Sequence, residues 1–253
     1  WGFGSNDDNT IPSQYSGIAD SIHVANLGQM GYCAFQSYIL LLIELRKGLR
    51  PNLVISYDGA NDSPVEKGHY AHMWENRMRV RLKNLDAQPP GEELESFPGI
   101  RRLARTFTSS TFDDVNLTAW DGTAPSATQN QQAAKELLQT WLAMKELCDR
   151  EKIDFVCVLQ PQMHVGNPDL SYLRNTRFAG AENLSDAYAA YYENVLNLLE
   201  TDEFVRLKSC FIDLRFALDG LPDMYLDICH LAPKGNEAIA RALSAKIAEL
   251  PFN

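Results

Sequence analysis

A chain of 253 residues, 45% of them hydrophobic, is long enough to bury one α/β core, and no shift in composition along it argues for a second domain. Its formal net charge of −10 and isoelectric point near 5.0 argue against a nucleic-acid footprint or a general attraction to anionic lipid. The longest strongly apolar run, Ile39 to Ile43 with its neighbours, falls far short of the roughly 20 residues that a membrane-spanning helix needs.

In chain order, the pattern predicts a helix over residues 11–21 leading into a short strand at 22–25 that ends near Gly28. An amphipathic helix over 34–49 closes with Arg46-Lys47-Gly48. Through Arg50-Pro51 it leads to a β-branched strand at 53–57, which breaks at Gly59 into the turn Gly59-Ala60-Asn61-Asp62. From Asp62 to Thr128 the spacing departs from compact βα units. Tyr70, Trp74, Phe97, Phe107, Phe112 and Trp120 supply aromatic surface there. An insertion at about 65–125 that follows a strand's C-terminal end is expected to overhang the site as a lid or substrate wall, or to form a satellite core of its own. A helix over 128–150 then precedes a strand at 154–159, and a helix over 185–201 precedes a strand at 209–213. The last helix, over 233–249, opens on Pro233, a residue suited to a first turn. Helices alternating with strands predict an α/β fold with a mostly parallel sheet.

The chemistry concentrates in Asp227-Ile228-Cys229-His230, an acid and an imidazole three residues apart just before the last helix. A carboxylate that holds one ring nitrogen of a His leaves the other to take a proton from a nucleophile. The same spacing also fits a loop with a solvated Asp and a His that caps the next helix. Two upstream segments shift the balance. The Gly28 backbone N–H and the Asn61 side-chain amide, both expected at strand ends, are suitable donors to a developing oxyanion. Asp62 is expected to brace its turn by accepting backbone N–H groups. Each feature is common, and their order along one chain is not.

Together these residues resemble the SGNH (GDSL-type) hydrolase family, over nearly the whole chain from Thr10-Ile11-Pro12 to Gly235-Asn236. Gly28 matches the second block of that family, Gly59 and Asn61 the third, and Asp227 and His230 the fifth. The first block, which carries the nucleophilic Ser, has no match. The resemblance implies a three-layer α/β/α, flavodoxin-like domain with a five-stranded sheet whose first strand lies between the second and third. It also implies a serine esterase or acyl hydrolase, without cofactor or metal, acting on an ester of a small molecule, carbohydrate or lipid. Members of this subtype carry a Gly-Gly-Ser-Thr turn ahead of a segment similar to residues 1–12. The nucleophile and its strand are therefore expected upstream of Trp1, with another chain as the alternative source of the strand. Ser5 lacks the preceding apolar strand that exposes a nucleophile. Two other functions use the same residues: an O-acyltransferase, and a binding module without a nucleophile that holds an acylated glycan or lipid.

The remaining candidates carry less. The five cysteines, Cys33, Cys148, Cys157, Cys210 and Cys229, are odd in number and lack C-x-x-C spacing, so no zinc or disulfide framework is read from them. Cys229 is expected to be turned away from His230 by the adjacent backbone. His164, in the loop Gln160-Pro161-Gln162-Met163-His164, is expected at a pocket rim or in solvent. His69 and His72 stand at i, i+3 without a third ligand in register.

Overall fold

The computed structural model describes residues 5–18, 22–29, 31–65, 125–173 and 182–252. The expected insertion, with His69 and His72, lies outside them. Among the described residues, the α/β fold is made of α1 Ile11–Ile18, α2 Ala34–Arg46, β1 Leu53–Asp58, α3 Ala127–Glu151, β2 Asp154–Leu159, α4 Glu182–Leu199, β3 Phe211–Asp213 and α5 Pro233–Ile247. The sheet runs in the order β1-β2-β3 and is parallel throughout, with Leu53 opposite Asp154 and Cys157 opposite Phe211.

β2 organises both layers. Residues 155–159 are buried without a break, as expected for a strand covered on both faces. Because successive side chains point to opposite faces, Phe155, Cys157 and Leu159 enter one core and Val156 and Val158 the other. The first core takes Leu41 and Leu45 from α2, Leu137, Leu138 and Trp141 from α3, and Tyr188, Tyr191 and Tyr192 from α4. The second takes Tyr15 from α1 and Ile239, Ala240 and Leu243 from α5. Each large apolar side chain fully buried contributes about 1.5–3 kcal/mol. Exposed helix pairs such as Glu237–Arg241 contribute only about 0.3–0.5 kcal/mol, so the two cores set the architecture.

The helix ends follow from local chemistry. α3 begins with a capping box in which Ser126 Oγ accepts from Gln129 N at 3.2 Å and Gln129 Oε1 accepts from Ser126 N at 2.8 Å. It ends at Lys152, whose φ of 59° is left-handed. α2 stops at Arg46, three residues short of the predicted end. The Arg50 guanidinium donates to the carbonyls of Leu45 (2.6 Å), in the last turn of α2, and of Leu49 (2.7 Å), just beyond it, and the Leu45 carbonyl also accepts the Gly48 N–H at 3.1 Å. Among the described residues, no helix is long and apolar enough to cross a membrane.

Two expectations need correction. Residues 22–25 form no strand: they lie in an exposed stretch without regular secondary structure, with Ile22 44% and Val24 37% accessible. A β-branched run becomes a strand only when a neighbouring backbone completes its ladder, and β1 is bonded to β2 alone among the described residues. The described sheet therefore has three strands against the four that the sequence places within residues 1–253. Residues 209 and 210 belong to a short 3₁₀ helix, Val205–Cys210, so β3 starts only at Phe211.

β1 closes on a buried carboxylate, Asp58, 7% exposed. Ser56 Oγ and Trp141 Nε1 (2.9 Å) both donate to its Oδ2. Burial drives its pKa up; the two hydrogen bonds oppose the rise and do not cancel it. Because the folded-state value lies above the unfolded one, the group's stabilising contribution is fully present below the unfolded pKa and is lost as pH rises through the folded one. Asp58→Asn keeps an acceptor for Trp141 and cannot ionise. The difference in melting temperature, variant minus parent, is therefore expected to become more positive between about pH 4 and about pH 8. Thermal unfolding followed by circular dichroism checks this, and a difference independent of pH would show that Asp58 does not titrate on unfolding.

Candidate active site

The Asp227–His230 segment sits at the tip of a tight loop that precedes α5. Leu226 N donates to the carbonyl of His230 (2.8 Å) and Ala232 N to that of Met224 (2.8 Å), while Tyr225 and Leu231 form an antiparallel bridge. The Tyr172 hydroxyl holds both polar groups of the Tyr225 backbone, donating to its carbonyl at 2.9 Å and accepting from its N–H at 2.7 Å. Gly235 is required where α5 begins, because a Cβ there would stand 2.4 Å from the Met224 carbonyl oxygen.

Within this frame Asp227 does two things. Its Oδ1 accepts the backbone N–H groups of Cys229 (3.1 Å) and His230 (2.9 Å), which shapes the turn. Its two oxygens also lie 2.9 and 2.8 Å from His230 Nδ1, which holds the ring. Burial alone would raise the Asp227 pKa. The His230 side-chain hydrogen bond, the two backbone N–H groups and the charge of His230 outweigh it and hold the carboxyl below its ordinary range. An ionised Asp227 is acceptor-only, so a neutral His230 carries its proton on Nδ1 and has its lone pair on Nε2. Both side chains are partly accessible, His230 at 29% and Asp227 at 18%.

The Gly59–Asp62 turn leaves β1 at the same edge of the sheet. Gly59 has a φ of 131°, and a Cβ there would meet Leu159 Cδ1 at 2.9 Å and the Tyr192 hydroxyl at 3.3 Å. Asn61 Nδ2 donates to the Tyr32 carbonyl at 3.0 Å, which fixes the amide while leaving it a second N–H to donate. Asp62, 3% exposed, accepts the Ala34 N–H at the first turn of α2 with Oδ1 (3.0 Å) and Oδ2 (3.2 Å). A carboxylate there also complements the positive end of the helix.

Hydrogen bonds tie the loops together. Gln160 N donates to the Asp58 carbonyl at 3.0 Å, and Met163 N to the Ile228 carbonyl at 2.9 Å, so the loop after β2 is fastened both to the end of β1 and to the Asp227–His230 loop. The Tyr192 hydroxyl donates to the Gln160 carbonyl at 3.1 Å. Burial raises the pKa of that hydroxyl.

The other sequence candidates fall as follows. Gly28 is exposed, and its N–H donates to Asn26 Oδ1 at 3.1 Å. Ser5 Oγ accepts from Asn236 Nδ2 at 3.0 Å, at the start of α5. His164 is half-buried, with its ring stacked on Tyr188 at a centroid distance of 6.1 Å, and burial lowers its pKa. Cys229 is not turned away from His230, since its Sγ lies 3.9 Å from Nδ1. The tight loop brings consecutive side chains to the same side, a geometry that spacing alone does not reveal. Tyr192 and Tyr172 escaped notice at the sequence level, the first lying within the predicted helix over 185–201 and the second outside every predicted element. Gln162, in the loop after β2, is fully buried with its Oε1 accepting the His164 N–H at 2.6 Å.

No family model matches the chain, and no curated protein matches it. Among solved structures it is similar to the crystal structure of an acetyl xylan esterase, AlAXEase, at 13% identity and a TM-score of 0.48, covering 95% of this chain and 91% of that one. At that identity no residue's role carries over.

Asp62 acts on the backbone in this geometry. Asp62→Ala leaves the Ala34 N–H buried without its acceptor, at a cost of about 1–3 kcal/mol in stability. Urea unfolding is expected to show a lower midpoint at an unchanged slope.

Proposed function

We propose that this chain is an ester hydrolase of the SGNH type, in which His230 is the general base and then the general acid, and Asp227 fixes its tautomer. The observation that carries the reading is the double hold of Asp227 on His230 Nδ1 at 2.9 and 2.8 Å, in a loop closed by its own backbone hydrogen bonds. That hold places the basic lone pair on Nε2, where a serine hydroxyl would be deprotonated as it attacks an ester carbonyl. The imidazolium that forms is stabilised by the ionised Asp227, and it returns the proton to the departing alcohol. Water then attacks the acyl-enzyme by the same route in reverse roles.

The tetrahedral oxyanion needs donors that are already in place. Asn61 suits this role because Tyr32 holds its amide at 3.0 Å, which removes the cost of orienting it during the reaction. Gly28 is the second proposed donor, and serving an oxyanion would require its N–H to exchange Asn26 Oδ1 for the substrate. Gly59 supplies the turn that carries Asn61, since no side chain fits at its position beside Leu159 and Tyr192. The substrate is an ester of a small molecule or glycan, consistent with a mechanism that needs no bound cofactor.

The test is turnover of a short-chain aryl ester by the natural protein. His230→Ala and Asp227→Asn are each expected to lower kcat by about 10²- to 10⁴-fold with little change in KM, because both groups act in the transition state. Near-parental turnover in both variants would require another base. A fluorophosphonate probe followed by peptide mass mapping locates the serine: label outside the numbered residues agrees with the family resemblance, label on Ser5 reassigns the nucleophile to the segment beside Asn236, and a folded protein that takes no label favours a binding module.

A further inference from the structure

The loop that holds His230 also presents a second donor set. Asp227, Cys229 and His230 each offer one ligand atom, and these atoms lie within 4.8 Å of one another. The closest approaches are 2.8 Å between Asp227 Oδ2 and His230 Nδ1, and 3.9 Å between Cys229 Sγ and the same nitrogen. The Asp227–His230 pairing does not require the thiol at this place, since the carboxylate alone accounts for the turn and the tautomer.

We propose that Asp227, Cys229 and His230 form a binding site for a thiophilic divalent cation of the Zn²⁺ type, and that its occupancy switches off His230 as a base. The donors are one sulfur, one nitrogen and one oxygen, a mixture that suits Zn²⁺ and disfavours Mg²⁺ or Ca²⁺. Zinc–ligand bonds of about 2.0–2.3 Å at tetrahedral angles place neighbouring ligand atoms roughly 3.3–3.5 Å apart. The two shorter spans lie on either side of that value and each needs an adjustment of about half an ångström, while the span from the Cys229 sulfur to Asp227, no more than 4.8 Å, closes by at most about 1.3 Å as the thiol side chain rotates. Three protein ligands leave a fourth position for water. The loop is preorganised for this by the same bonds that position His230: Leu226 N to the His230 carbonyl, Ala232 N to the Met224 carbonyl, and Met163 N to the Ile228 carbonyl.

The consequence for chemistry follows from the atom that binds. A cation on Nδ1 displaces the proton that this nitrogen donates to Asp227, and a neutral imidazole then keeps its one proton on Nε2. That is the atom that must accept the serine proton in the proposed mechanism. The thiol releases a proton to solvent on binding, so the balance is one cation taken up, one proton released from sulfur, and one ring proton moved from Nδ1 to Nε2. Metal binding itself is independent of the esterase reading; the inhibition rests on that reading.

The two are separated by measuring them separately. Titration of the chelator-treated protein with ZnCl₂ by isothermal calorimetry, in a buffer that does not bind zinc, is expected to show one site per chain that Mg²⁺ does not fill. Cys229→Ala is expected to weaken it at least about tenfold. Co²⁺ is expected to give a thiolate charge-transfer band with the parent protein that Cys229→Ala lacks. Each protein's ester hydrolysis is then compared with its own zinc-free rate, and the zinc concentration for half-inhibition is expected to rise at least about tenfold in Cys229→Ala. Circular dichroism of the variant checks that it is folded. No zinc binding by the parent, or equal binding and inhibition in the folded Cys229→Ala variant, would overturn the proposal. If the protein hydrolyses no ester, calorimetry and the Co²⁺ spectrum still decide the site, and it is the function that fails.

Discussion

β2 is buried on both faces, and the rest of the molecule is arranged around that constraint. Five consecutive residues without access to water need helices on either side, and the alternation of Phe155, Cys157 and Leu159 with Val156 and Val158 assigns the covering helices to two separate cores. With the strands parallel, β1 and β2 both end at one edge of the sheet, where their loops emerge together. The bond from Gln160 N to the Asp58 carbonyl fastens those two exits, and that from Met163 N to Ile228 attaches the loop before α5. The site is thus assembled by backbone hydrogen bonds among loops that the buried sheet has already brought close.

Three aspartates in this region show how environment divides one side-chain chemistry into separate tasks. Asp58 is buried against Ser56 and Trp141, and burial dominates, raising its pKa. Asp227 is partly buried too, yet the imidazole and two backbone N–H groups favour its charged form and lower its pKa. Asp62 accepts the Ala34 N–H at the start of α2. Asp227 combines a charge-stabilising setting with a titratable partner, His230, within hydrogen-bond reach, which is what acid–base work demands. The same closeness that suits it to hold His230 places the Cys229 sulfur beside that ring, so one short loop presents oxygen, sulfur and nitrogen ligands together.

Much of this was legible in the sequence because it rests on local pattern. Periodicity placed β2 at its observed limits and the start of α5 at Pro233, where the proline sits in the first turn. The pairing of Asp227 with His230 was readable because three residues of chain leave few ways to separate the two. Asp62 was expected to accept N–H groups of its own turn, whereas the backbone donor it holds is that of Ala34, 28 residues earlier. Residues 22–25 were misread for the complementary reason: their β-branched composition is a local property, whereas a strand is a relation between two backbones.

The sequence by itself determined which segments are helices, that the runs at 53–57 and 154–159 are strands, and which loop carries an acid beside an imidazole, because each of these depends on neighbours within a few residues. Only the tertiary structure decided that Asp58 is buried under Trp141, that the Tyr192 hydroxyl lies beside Gly59 and bonds the Gln160 carbonyl, and that residues 22–25 stay outside the sheet. Those outcomes depend on partners tens of residues away, whose approach is set by the packing of α3 and α4 against β2 and leaves no periodic trace along the chain. The direction in which the Cys229 thiol points belongs to the same class, since the closure of its loop at Leu226 and Ala232, and not the spacing of its residues, turns that sulfur toward His230.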